Sequence, residues 1–102
     1  MDDTASRNVD GIARGITGNH VGDGTILNVF LGFRPQRVVV ANITDVVRFE
    51  KIDGMAANAA FKTVAVGTLT VDTTSAIVIT DTGFTMSAAN NISAKTFVWA
   101  VN

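Results

Sequence analysis

The 102-residue sequence has no cysteine and no tyrosine, and only one proline, one histidine and one tryptophan. Without cysteine the chain can form neither a disulfide nor a thiolate metal site. A single histidine falls short of the three or four nitrogen or sulfur ligands that zinc requires. Charge is scarce as well: Asp, Glu, Lys and Arg make up 17% of the residues and the formal net charge is −1. A nearly neutral chain carries no basic field to hold nucleic acid. No apolar run approaches the roughly 20 residues that span a bilayer, and the opening MDDTASRNVDG is acidic and polar, unlike a secretory signal. No stretch keeps a helical period long enough for a crossover helix, which disfavours a parallel α/β sheet.

What is present is apolar and β-branched. Hydrophobic residues reach 47%, and a chain of this length buries roughly 60–68% of its unfolded surface, enough for one core. So few charges leave the exterior thinly covered, as in small domains that hide surface against partners or copies of themselves. Thirteen threonines and frequent turn signals accompany short apolar runs. Together they predict an all-β fold: a compact antiparallel β-sandwich or barrel of about seven to eight short strands with an extended N-terminal arm.

The arm covers residues 1–24, with five glycines and one short paired segment expected at Val9 to Ile16. The β-domain follows over residues 25–102. TILNVFL opens it, GFRP breaks the strand, and RVVVAN is apolar enough to be buried on both faces. In VVRFEKI, Val47 and Phe49 share one face and Arg48 and Glu50 the other. DGMAANAA reads as a loop with a short turn of helix, and FKTVAVGTLTV as one strand bent at Gly67. A strand at Ile77 to Thr80 turns at Asp81-Thr82-Gly83 into Phe84 to Met86. The closing KTFVWAVN puts Phe97, Trp99 and Val101 on one face. The expected core anchors are Val39, Phe49, Phe84, Phe97 and Trp99.

Candidate chemistry is thin. His20 sits in a glycine-rich turn without an evident nucleophile or orienting carboxylate. The aspartates are scattered through predicted turns and lack calcium-loop spacing. GNHVGDG lacks the Lys-Ser/Thr ending of a phosphate loop and precedes a strand rather than a helix. No catalytic group, metal or cofactor is therefore expected. Arg34 and Arg37 flank Pro35, which stiffens their backbone, and such a turn suits contacts to a neighbour's carboxylates. Arg7, Arg14, His20 and Phe33 join Arg34, Pro35 and Arg37 as expected contacts with other subunits.

LGFRPQRVVVANITDVVRFEKIDGMA sets out a glycine-aromatic-x-proline turn, an apolar strand, an Asn-x-Thr-Asp turn, an aromatic-containing strand and a Gly-Met. Phe61-Lys62-Thr63, Gly67-Thr68-Leu69-Thr70 and the closing ITDTGFTMSAANNISAKTFVWAVN follow in order. This succession, over residues 31–102, resembles small virion proteins of tailed bacteriophages. The third strand, RFEKI, carries one aromatic where the pattern often has more. The resemblance implies a capsid decoration or cement protein on the outer shell, made in the host cytoplasm. Its implied partners are the major capsid protein and copies of itself, as trimers ahead of dimers, with no nucleic acid and no membrane. A tail, baseplate or fibre module and a carbohydrate-binding β-module are the alternative readings.

Overall fold

A computed structural model describes residues 15–102. It contains nine strands and no helix among those residues: β1 (Ile16–Val21), β2 (Leu27–Phe30), β3 (Arg37–Asn42), β4 (Val47–Ile52), β5 (Ala60–Thr63), β6 (Leu69–Asp72), β7 (Ile77–Thr80), β8 (Gly83–Met86) and β9 (Thr96–Val101). Six form one sheet in the order β1-β9-β3-β4-β5-β6, and three form a second in the order β2-β8-β7. All pairings are antiparallel. The sheets face each other and neither closes, so the fold is an open sandwich rather than a barrel.

Side-chain alternation assigns the faces. Val38 and Val40 on β3, Phe49 on β4 and Phe97 and Val101 on β9 meet Ile77, Ile79, Phe84 and Met86 of the smaller sheet in one core. Trp99 lies edge-on to Phe84, with ring centroids 5.5 Å apart, and packs against this core while remaining half-buried. Val39 is the exception among the expected anchors. It pairs with Glu50 and Ala100 and faces outward with them. A strand of three consecutive valines carries no alternation of its own, so its partners' register decides which of them is buried.

Three further expectations are corrected. FKTVAVGTLTV is a hairpin, not one bent strand. The Val64 amide donates to the Thr68 carbonyl, and Gly67, at φ 89°, makes the turn between β5 and β6. The DGMAANAA segment forms a loop with no helix, in which the Ala59 amide closes a single turn on the Ala56 carbonyl. The expected arm also ends early: β1 lies inside residues 1–24, hydrogen-bonded to β9 along its length. The paired segment is Ile16–Val21, and all of Val9 to Ile16 before residue 15 falls outside the described residues.

Position 18 shows why a glycine interrupts β1. A Cβ added there would lie 2.2 Å from Cζ2 of Trp99, because the indole lies across the strand at that point. Gly18→Ala is therefore expected to displace the indole and cost about 1–3 kcal/mol, the usual range for overpacking. Denaturant melts followed by the fluorescence of this one tryptophan will read both the loss and the altered ring environment. An unchanged midpoint would mean that the indole does not occupy this site.

Candidate interaction surfaces

The GFRPQR loop lies at one end of the sandwich and is bound into it from three sides. The Leu31 and Gly32 amides donate to the Thr82 carbonyl in the β7–β8 turn. The Gln36 and Arg37 amides donate to the Asn102 carbonyl, and the Asp53 amide donates to the Gln36 carbonyl. Pro35 has no amide to satisfy and its ring is fully buried. Arg34 then reaches across the surface of these loops. Its Nε and Nη2 donate to the two oxygens of Asp53 at 3.1 and 2.9 Å, and Nη1 donates to Asp81 at 2.9 Å. The hydrogen bonds from Arg34 hold the Asp53 carboxyl below its ordinary value, and Asp53 and Asp81 raise the guanidinium in return.

Arg37 is likewise spoken for within the chain. Its Nε donates to Glu50 at 2.7 Å, and Arg48 donates to the other Glu50 oxygen at 2.9 Å. The bond from Arg37, followed by that from Arg48, lowers the Glu50 pKa. The arginines expected to grip a neighbour thus hold the chain's own carboxylates, and Pro35 has no exposed surface to offer. Phe33 packs against the core. Arg7 and Arg14 lie outside the described residues.

His20 is turned inward rather than outward. Its ring stacks on Phe97 at 4.9 Å between centroids, nearly parallel. Nε2 lies 2.9 Å from Oδ1 of Asn91, whose Nδ2 donates to the Thr25 carbonyl at 2.9 Å and to Asp23 at 3.2 Å. With Nδ2 committed to those acceptors, Oδ1 must accept, so His20 donates from Nε2. Its Nδ1 is buried without a hydrogen-bond partner among the described residues. Asn91, only 2% exposed, joins the β1–β2 loop to the loop before β9. The Thr25 hydroxyl also donates to Asp23, which completes the network.

Lys51 went unremarked in the sequence, where it reads as an ordinary strand charge. It points inward at 3% exposure, and Nζ donates to the carbonyls of Ala56 and Ala57 at 2.7 and 2.9 Å. Burial lowers its pKa. The alternation that put Val47 and Phe49 on one face was the available signal, since Lys51 continues that row. Among the described residues no group of three His, Cys, Asp or Glu side chains could hold a metal ion.

Among the described residues, nothing covers the outer face of the six-stranded sheet. Thr17, Asn19, Val98, Ala100, Val39 and Ala41 line a shallow groove across β1, β9 and β3. None of them is charged, and the Arg37–Glu50–Arg48 cluster lies to one side of it on β3 and β4. At the rim, Val46 is held at φ 57°, a left-handed conformation that disfavours a β-branched residue, and is exposed. Phe30, 80% exposed, stands apart on the outer side of β2. No family model, no characterised protein and no solved structure matches the chain.

Two expectations follow from this geometry. Val46→Asn should stabilise the isolated protein by about 1 kcal/mol, because asparagine tolerates the left-handed region and an exposed valine gives up little burial. Chemical denaturation tests this, and destabilisation would show that the valine side chain is needed. The acid limb follows from Asp53 and Glu50, whose folded pKa values are depressed. Their contribution is complete above the ordinary carboxylate range near pH ~4 and is lost as pH falls through the lowered folded values. Stability should be level from neutral pH to about pH 5 and decline below it. In an Arg34→Ala/Arg37→Ala variant it should start lower and decline less steeply, as urea melts across a pH series will show.

Proposed function

We propose that this protein is a bacteriophage capsid decoration protein that binds the outer shell and steadies contacts between capsid subunits. The observation that carries the reading is the uncharged groove that Thr17, Asn19, Val98, Ala100, Val39 and Ala41 line on the outer side of β1, β9 and β3. Among the described residues the few charges are largely engaged within the chain, which leaves a broad apolar and small-residue surface in water. Such a surface suits a flat protein partner. The order of segments over residues 31–102, which resembles small phage virion proteins, supplies the identity of that partner as the major capsid protein.

The sandwich suits the role mechanically. Its ends are closed by Arg34 at one end and Asn91 at the other, so its shape is kept with no disulfide. Clamping a shell needs no catalytic group and no cofactor. The protein would be made in the host cytoplasm and would reside on the capsid surface, repeated over many copies and associated with itself.

The test places charge on the groove. Ala41 and Val98 are directly opposed on neighbouring strands, and neither belongs to the buried core. Ala41→Glu with Val98→Glu should leave the fold intact by circular dichroism and reduce binding to undecorated shells by more than tenfold. Unchanged affinity in a folded double variant would move the contact to another surface. A failure of wild-type protein to bind any shell would end the reading itself.

A further inference from the structure

Among the described residues the six-stranded sheet ends at β6, which has a strand partner on one side only. Its sequence is Leu69-Thr70-Val71-Asp72. Of the usual protections of an open edge, β6 has no lysine, proline or bulge, only its brevity and the inward-facing carboxylate of Asp72. Leu69 and Val71 are 62% and 57% exposed on the outer face.

The hydrogen-bond phase of the hairpin decides what that edge presents. Because the Val64 amide bonds to Thr68, alternation makes Lys62–Thr70 and Ala60–Asp72 the bonded pairs of the β5–β6 ladder. The amides and carbonyls of Thr70 and Asp72 therefore turn toward β5. Those of Leu69 and Val71 turn outward, on the same residues whose apolar side chains are exposed.

We propose that β6 pairs antiparallel with β6 of a second copy about a two-fold axis through Thr70, continuing the sheet from one subunit into the next. In this register Leu69 opposes Val71 of the second copy, and the reverse, so the two outward-turned residues of each strand exchange four hydrogen bonds. Both apolar pairs fall on the outer face, beside Phe61, which is paired with Val71 inside each hairpin. Thr70 meets its own counterpart in the non-bonded position, where threonine pairs are favourable. Thr68 comes opposite Asp72 on the inner face, so no like charges are brought together. The match is self-complementary within four residues, and that singles out a second copy as the occupant. It depends on the edge alone and not on what the outer face binds.

The chain contains no cysteine, so a single introduced thiol reports the pairing cleanly. Directly opposed residues in a non-bonded pair lie about 4.5 Å apart at Cα, within reach of a disulfide. Under mild oxidation Thr70→Cys should form a covalent dimer at least tenfold faster than Val66→Cys, although Val66, at the hairpin tip, is 87% exposed and would win by random collision. Adding Leu69→Lys and Val71→Lys should abolish the advantage. Should the cysteine variants misfold, hydrogen exchange on the wild type reads the same contact. The Leu69 and Val71 amides should gain protection as protein concentration rises, while the Thr70 amide, bonded to β5, should not change. Equal cross-linking rates, or Leu69 and Val71 exchange that is independent of concentration, would overturn the pairing and leave this edge to a different chain.

Discussion

A three-stranded sheet spans about 14 Å across its strands and a six-stranded one about 29 Å, and the rest of the molecule follows from that inequality. The smaller sheet covers the inner face of β9, β3 and β4, where Phe97, Val38, Val40 and Phe49 are buried. It cannot reach β5 and β6. Near β4 the loop between β4 and β5 packs in, its Ala59 and the following Ala60 buried, while Thr70 on the same face of β6 stays exposed. Small side chains let this loop lie close against the sheet, and Lys51 extends beneath it to bond two of its carbonyls. A lysine can be buried here because the loop supplies the acceptors that water would otherwise give.

The distribution of charge follows the same logic. With 17% charged residues, several of the described ionic groups join segments distant in sequence. Arg34 connects the loop after β2 with the ends of β4 and β7, and Lys95 meets Asp45 across the β3–β4 turn. Exposed ion pairs of this kind add little individually, but each one here bridges separate loops and sets how the sandwich ends are closed. Asn42 and Asn91 do the equivalent work with neutral amides. Asn42 accepts the amides of Thr44 and Asp45 to shape the β3–β4 turn. What is left for the outside is apolar and small, which is the physical basis for reading the molecule as a part in an assembly.

The surfaces proposed for contact are distinct and compatible. The groove over β1, β9 and β3 lies at one side of the six-stranded sheet, and the edge of β6 at the other. A copy joined to its neighbour through β6 would keep its groove open, and the outer faces of the two would run on as one. An assembly built in this way would present a wider apolar face than either subunit alone.

Much of this was legible in the residues. The all-β class, the alternation of Phe97, Trp99 and Val101, the opposite faces of Phe49 and Glu50, and the turn chemistry of Asn42 and Asp45 are local properties of backbone and side chain, and a local pattern determines them. Tertiary structure decided the rest. Nothing in VVV says which valine is buried, because that depends on register against β9 and β4. Nothing near Arg34 announces Asp53 and Asp81, which are 19 and 47 residues away. Nor could the run of β-branched residues around Gly67 separate a bend from a hairpin, since both satisfy the same propensities. The roles of His20, Lys51 and Pro35 were hidden for the same reason: each acts through groups brought near it only by folding, and a linear sequence records a residue's chemistry but not its neighbours in space.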